Sequence, residues 1–206
     1  MTYTSSKVIE LGSAAFRQPN ASSHCKYLHG YQLKAELTFG CEELDNNNWV
    51  FDFGGLKDLK GIFNNQFDHT TVISGSDPEL DTFKELANKD IIQLRIMDGG
   101  VGIEKFAEWC FKTADTFVDE ASEGRVWVEN VTVYEHNSNY ASCSKPIKKS
   151  TLFKDEEGKT TYVEVKEEAT QESEETSAHN PRAARVGSDV REGNFSDPFA
   201  GTSWGN

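Results

Sequence analysis

Residues 32–39 read QLKAELTF, and this run indicates the fold class more clearly than any other stretch of the chain. Apolar and polar side chains alternate along it, which predicts a strand with one buried face and one solvent-facing face. A partner strand is predicted over residues 7–15. Residues 125–135 and 140–142 predict two more strands, because β-prone residues flank the turn signal of residues 136–139.

Two amphipathic helices are predicted between the two pairs of strands. The first covers residues 54–66, where apolar residues recur at helical spacing. The second has a longer apolar stripe: Ile103, Phe106, Ala107, Cys110, Phe111, Ala114 and Phe117. Its cysteine is therefore expected to be inert core. The order strand, strand, helix, helix, strand, strand predicts an α+β domain with two helices on one face of a four-stranded antiparallel sheet. The edges of so small a sheet favour an oligomer.

Composition and charge exclude several classes of protein. The chain has 206 residues, 36% of them apolar, and a formal net charge of −13. This charge repels phosphate backbones and anionic lipid, so neither nucleic acid nor a membrane surface is an expected partner. No run approaches the roughly 20 apolar residues that span a bilayer. The first twelve residues lack the features of a secretory signal, and the four cysteines form no C-x-x-C pair, so we expect reduced thiols and a cytoplasmic location.

Composition changes near residue 148, which predicts three parts. Residues 1–147 are predicted to form the α+β domain, and residues 148–166 an appended β-hairpin around an Asp-Glu-Glu-Gly turn. Residues 167–206 are polar and acidic, which predicts a disordered tail. Three aromatic residues lie near its end: Phe195, Phe199 and Trp204. They belong either to a frayed terminus or to a short motif that docks a protein partner.

One cluster of chemically active side chains precedes the strand of residues 32–39. It reads SHCKYLHGY over residues 23–31 and places a thiol, two imidazoles and phenol groups close together. Cys25, His24 and His29 suit either metal ligation or a Cys–His nucleophile pair, although they match no standard zinc spacing. The alternative is a polar loop with an unreactive cysteine.

Further along, two motifs supply carboxylates. Asp68-His69 follows the first helix, where it can act as a proton relay or simply cap a loop. Glu104 opens the second helix, and Glu135 ends the third predicted strand. A carboxylate at a strand end can accept paired N–H donors from a pterin or guanidine-like ring. Glu104 can instead complement the dipole at a helix N-terminus.

The order of these motifs resembles the 6-pyruvoyl-tetrahydropterin synthase family, which includes the 6-carboxytetrahydropterin synthases of the queuosine pathway. AAFRQP at residues 14–19, CKYLHGY at residues 25–31 and WVFDF at residues 49–53 are similar to the family's A-A-H, C-x-x-L-H-G-H and hydrophobic-D-F patterns. The D-H pair and both glutamates follow in the family's order, so the likeness covers residues 5–145. It implies a T-fold that assembles into an oligomeric barrel, a trimer or a hexamer, with active sites between subunits.

The resemblance also implies a chemistry. The family's enzymes are lyases that break carbon–oxygen or carbon–carbon bonds of 7,8-dihydroneopterin triphosphate or a related pterin, with zinc as the Lewis acid. By position, Cys25 matches the cysteine that moves protons, and Asp68 and His69 match the pair that assists it. Glu135 matches the anchor of the pterin ring, and Glu104 matches the helix-opening glutamate.

The metal positions depart from the family's pattern. The family holds zinc with the histidine of A-A-H and both histidines of H-G-H, but Phe16 and Tyr31 take two of these places, and only His29 remains. Phenylalanine cannot ligate metal and a neutral tyrosine does so poorly, so His24, Cys25 or a residue of another subunit would have to substitute. Two classes of function follow. One is a pterin synthase with a rearranged or metal-free site. The other is a non-catalytic T-fold scaffold, or a pterin- or purine-binding protein, whose tail docks a partner.

Overall fold

The computed structural model describes residues 1–145, together with the backbone of residues 150–154 and 160–164. Six strands form one sheet: β1 (Tyr3–Phe16), β2 (His29–Cys41), β3 (Thr70–Ser74), β4 (Leu94–Met97), β5 (Val126–His136) and β6 (Asn139–Ser144). Their spatial order is β4-β3-β1-β2-β5-β6. The strand β3 runs parallel to both of its neighbours, and the other pairs are antiparallel.

Three α-helices connect the strands: α1 (Lys57–Phe67), α2 (Leu80–Asn88) and α3 (Ile103–Ala121). The helix α1 packs on β1, and α3 packs on β5 and β6. Aromatic rings join these two helices, since Trp109 lies 6.0 Å from Phe63 and 5.4 Å from Phe67 between ring centroids. Within the described part of the chain, no helix is long and apolar enough to cross a membrane.

The α+β class is confirmed, but the prediction of four antiparallel strands and two helices is wrong. The sheet has six strands and is mixed, because residues 70–97 form a β3-α2-β4 unit, for which the sequence analysis predicted no strand or helix. Parallel strands need a crossover connection, and α2 supplies it. All five residues of β3 are buried, so this strand has no polar alternation that would reveal it.

The core lies between the sheet and the two longer helices. Alternate residues of β2 from Leu33 to Cys41 are fully buried, as the alternation predicted. The apolar stripe of α3 is also confirmed in its central part, with Phe106, Cys110 and Ala114 fully buried. Burial raises the pKa of the Cys110 thiol well above its usual range, so this cysteine is an inert core residue.

One buried ion pair connects the end of β1 to the inserted segment. The Arg17 guanidinium donates to both carboxylate oxygens of Asp77, over 2.6 and 2.9 Å. The Asp77 side chain is fully buried, and the hydrogen bonds from Arg17 hold the pKa of this carboxyl below its usual range. The guanidinium also stacks 5.6 Å from the ring of Phe83 in α2. The pair therefore fixes the α2 segment to the sheet.

The chain divides into two compact units, Met1–Lys149 and Ser150–Asn206. In the second unit, β7 (Ser150–Lys154) pairs antiparallel with β8 (Thr160–Glu164). The predicted tail of residues 167–206, with its three aromatic residues, lies outside the described residues.

Candidate functional site

The pairing of β1 with β2 brings the family's three metal positions together. Phe16 is the last residue of β1 and pairs with His29, the first residue of β2, while Ala14 pairs with Tyr31. Since side chains alternate along a strand, His29, Tyr31 and the buried Leu33 share the face that the helices cover. We call Phe16, His29 and Tyr31 the ring cluster.

The rings of this cluster pack against one another. The centroid of Phe16 lies 4.8 Å from that of His29 and 6.1 Å from that of Tyr31, and the latter two are 5.7 Å apart. Phe16 is only 1% exposed and meets the ring of Phe106 edge-on at 5.0 Å. These spacings are typical of attractive aromatic pairs, so Phe16 belongs to the core.

A backbone hydrogen bond orients the half-buried imidazole of His29. Its Nδ1 lies 2.7 Å from the carbonyl oxygen of Tyr27, and a carbonyl can only accept, so this nitrogen carries the proton. In the neutral ring, Nε2 then has the free lone pair. His29 therefore offers one acceptor toward a ligand.

The proposed proton carrier Cys25 lies in a short 3-10 turn, His24–Lys26, just before β2. Its carbonyl accepts a bond of 2.9 Å from the backbone N–H of Gln18, which connects the turn to the segment after β1. The Cys25 side chain is half-buried, whereas that of His24 is exposed to solvent. Of the two, only the thiol is partly enclosed by protein.

Glu135 and Cys25 lie in the same region as Tyr31: the residue after Glu135 has its ring 6.2 Å from that of Tyr31, between centroids, and the Cys25 turn is bonded to the segment after β1. Burial raises the pKa of the Tyr31 phenol, and the nearby Glu135 carboxylate raises this pKa further. Glu135 lies in the irregularity where β5 and β6 change register, between Tyr134 and His136. The structure thus brings Cys25, His29, Tyr31 and Glu135 to one end of the sheet.

His136 belongs to the same region, and the sequence reasoning missed it. Its ring centroid is 6.2 Å from that of Tyr31. The turn signal of residues 136–139 predicts a turn at this residue, but β5 extends one residue beyond Glu135 and includes it. Its position directly after Glu135, the carboxylate predicted to end the strand, was the sequence feature that could have indicated it.

Asp68 and His69 form a second group. The carboxylate oxygen Oδ1 of Asp68 accepts from His69 Nδ1 at 2.9 Å and from the backbone N–H of Ser13 at 3.3 Å. Ser13 follows the bulge of β1 at Gly12, whose φ is +93°. A Cβ at Gly12 would lie 2.2 Å from that same oxygen, so only glycine admits the carboxylate here.

The histidine of this pair faces solvent. The His69 side chain is 84% exposed, and it lines a shallow hollow of about 380 Å³ together with Ala15, Gly30 and Tyr31. Within residues 1–145 no hydrogen bond or ion pair joins Asp68 or His69 to the group around Cys25. In this part of the chain, the two groups are neighbours only at this hollow, which His69 lines from one group and Tyr31 from the other.

Glu104 makes no hydrogen bond or ion pair with either group within residues 1–145. It is an exposed residue in the first turn of α3, and this helix begins directly after Gly102. A Cβ at Gly102 would lie 3.5 Å from the Glu104 carboxylate and 2.5 Å from the Gln18 amide nitrogen. Glu104 is therefore near the loop that follows β1, at the same end of the domain as Phe16.

Comparisons with known proteins identify relatives of this chain. The family model for 6-pyruvoyl tetrahydropterin synthase matches residues 8–146. A 6-carboxy-5,6,7,8-tetrahydropterin synthase from Rickettsia bellii is 39% identical over 57 residues, covering 27% of this chain and 41% of that protein. Another, from Aquifex aeolicus, is 32% identical over 77 residues, covering 37% of this chain and 47% of that protein. The chain therefore spans less than half the length of these curated relatives.

Solved structures agree with the fold. An uncharacterized protein from Wolinella succinogenes superposes with a TM-score of 0.62 at 17% identity, covering 71% of this chain and 99% of that chain. A 6-pyruvoyltetrahydropterin synthase from Plasmodium vivax gives a TM-score of 0.52 at 17% identity, covering 70% of this chain and 99% of that chain. These similarities confirm the T-fold.

Proposed function

Because this chain belongs to the 6-pyruvoyl tetrahydropterin synthase family, we propose that it binds a pterin at the end of the sheet where Cys25, Tyr31 and Glu135 meet. One observation carries the proposal: the Tyr31 ring lies 6.2 Å, between centroids, from that of His136, the residue after the half-buried Glu135, and the Cys25 turn is bonded through Gln18 to the segment that follows Phe16. The tetrahydropterin-synthase-like class follows from the family. The identity of the ligand and the reaction carried out on it are what we propose.

Glu135 anchors the ring in this proposal. A pterin presents an amino group and a ring N–H side by side, and a carboxylate accepts such a pair with two parallel hydrogen bonds. Glu135 is half-buried, so these bonds form in a partly desolvated place where they are stronger than in water. The ligand is 7,8-dihydroneopterin triphosphate or a related pterin.

Cys25 moves protons on the bound ligand, and the Asp68–His69 pair assists. In one chain these two groups lie in different places, joined only through the hollow that His69 and Tyr31 line. A second copy that packs on this hollow would complete the site. The proposed assembly is a trimer or a hexamer, since β4 and β6 leave unpaired sheet edges within the described domain.

If the site turns over, the reaction is that of a lyase on a carbon–oxygen or carbon–carbon bond of the pterin side chain. The ring cluster favours a second candidate, a non-catalytic pterin- or purine-binding protein, because two of the family's three metal ligands are absent from the sequence. Without a Lewis acid, the developing charge loses a stabilisation worth several kcal/mol.

A binding titration tests the ring anchor. Glu135→Gln removes the charge with almost no change of shape, and we expect it to weaken the binding of 7,8-dihydroneopterin triphosphate by about tenfold or more. The matched control is Glu129→Gln, on the same strand, where the carboxylate instead accepts from the Trp127 indole. Equal affinity of the wild type and the Glu135 variant would remove this anchor from the account.

A turnover assay tests the thiol and decides between the two candidates. Cys25→Ala is expected to abolish conversion of the pterin and leave its affinity nearly unchanged, because the thiol moves protons rather than holding the ring. Cys143→Ala is the control, a half-buried thiol on β6. Conversion by the Cys25 variant would refute its role, and no conversion by the wild type would favour the binding protein.

A further inference from the structure

We propose that the family's metal position is closed in this chain by the ring cluster, and that the Tyr31 hydroxyl contacts the ligand's side-chain oxygen there instead of a metal ion. The closed metal position is argued from the geometry of the ring cluster alone. The Tyr31 contact rests on the proposed pterin binding.

The packing of Phe16 argues against a metal ion. Zinc sites in proteins place nitrogen, oxygen or sulfur atoms about 2.0–2.3 Å from the ion, usually in a tetrahedron. Here a phenyl ring that is 1% exposed occupies one ligand position and lies 4.8 Å from the imidazole and 5.0 Å from Phe106, between centroids. Its carbon atoms contribute no ligand, and its removal would leave a hole in the core.

The remaining side chains do not replace the lost ligands. The Nδ1–H of His29 donates to the Tyr27 carbonyl, so only Nε2 is left to bind a metal ion. His24 is exposed to solvent, and Cys25 adds a single sulfur. Across residues 1–145, no three side chains of His, Cys, Asp or Glu lie close enough to hold one ion. Within the described part of one chain, the residues present do not fit the zinc that the family implies.

Tyr31 has a free donor at this place. Its side chain is half-buried, and its hydroxyl makes no hydrogen bond within residues 1–145. It lines the hollow with His69, and its ring lies 6.2 Å, between centroids, from that of His136, the residue after the proposed ring anchor Glu135. For a ring held by Glu135, the phenol O–H is thus close enough to donate to a hydroxyl oxygen of the ring's substituent.

Zinc content tests the closed metal position without any activity assay. The purified full-length chain, dialysed against zinc and then against buffer, is expected to hold well under one zinc per chain by elemental analysis. The double variant Phe16→His with Tyr31→His recreates the family's ligand set and is expected to hold about one zinc per chain. Circular dichroism checks its folding, and a misfolded variant leaves the wild-type ratio as the deciding number.

His29→Ala locates any zinc that the wild type does hold. One zinc per wild-type chain that is lost in this variant would overturn the proposal. Zinc that the variant retains lies elsewhere, and the closed ring cluster is then supported.

Two ligands test the Tyr31 contact. Tyr31→Phe is expected to bind 7,8-dihydroneopterin, which has side-chain hydroxyls, about two- to tenfold more weakly than the wild type does. The same variant should bind 7,8-dihydropterin, which has no side chain, as the wild type does. Equal binding of both ligands by both proteins would overturn the contact. Wild type that binds neither ligand would instead overturn the proposed pterin binding, while the zinc result still stands.

Discussion

The ring cluster and the Arg17–Asp77 ion pair begin at adjacent residues of the chain and are stabilised in opposite ways. The Phe16 ring points into the core and packs against His29 and Phe106. The hydrophobic effect that stabilises this packing is non-directional. Arg17 follows at once and forms a bidentate bond with a fully buried carboxylate, which demands one geometry.

A strand end can thus keep its backbone path while the chemistry of its side chains changes. At the ring cluster, aromatic side chains pack where the family pattern has metal ligands, because packing needs only apolar volume of the right shape. The ion pair is less tolerant, since removal of either partner leaves a buried charge without compensation. Loss of one side chain therefore costs stability at both places, but only the ion pair makes that cost depend on pH.

The largest effect is expected at the ring cluster. Phe16→Ala removes a fully buried ring and should lower the free energy of unfolding by about 3–5 kcal/mol, measured by urea denaturation. The control is Tyr27→Ala, because this tyrosine is 64% exposed and its loss should cost about 0.5 kcal/mol or less. Similar costs for the two variants would show that Phe16 is not part of the packed core.

Asp77→Asn tests the ion pair and is expected to have the next largest effect. It should lower the free energy of unfolding by about 2–3 kcal/mol, less than a fully buried pair would, because Arg17 is 19% exposed and keeps some hydration. Asp81→Asn breaks the exposed pair with Lys84 and should cost about 0.5 kcal/mol or less. An Asp77 variant as stable as the Asp81 variant would refute the role of the pair.

The pH dependence separates the two places by a smaller effect. Because Arg17 lowers the pKa of Asp77 below its unfolded value of 3.8, the stabilisation is complete above that pH. It is lost as the pH falls through the lower folded pKa. The stability gap between wild type and Asp77→Asn should thus be constant from pH 7 to about 5 and shrink below about 4. The corresponding gap for Phe16→Ala should not shrink in this way.

The smallest effect is expected on the surface of α3. Lys105 and Lys112 both donate to Glu108 and lower its pKa to about 2. These groups are partly exposed, so Glu108→Gln should cost about 1 kcal/mol or less at low salt. This difference should fall further in 1 M NaCl, which screens exposed charges. A cost that does not change with salt would indicate packing rather than charge.

Residue patterns predicted the parts of the fold that have one buried face. The alternation in β2 and the stripe of α3 follow directly from contact with the core on one side and water on the other. The segment of residues 70–97 escaped prediction because β3 is buried throughout, β4 has four residues and α2 has nine. Segments this short give too few periods to distinguish a strand from a connector.

The candidate site was predicted by motif rather than by geometry. The motif order indicated Cys25, His29 and Glu135, and the structure brings these residues to one end of the sheet around Tyr31. The sequence could not show that Phe16 fills its position with a packed ring, since this depends on Phe106 from a distant helix. The roles of these residues in binding and catalysis stay predictions.

One titration tests the central claim, that this chain binds a pterin at a site without metal. 7,8-Dihydroneopterin triphosphate is titrated into the full-length protein after treatment with a chelator, and again after one equivalent of zinc is added. We expect binding in the first titration and the same affinity in the second, because the ring cluster leaves no place for the ion. Binding that occurs only after zinc is added would contradict this claim.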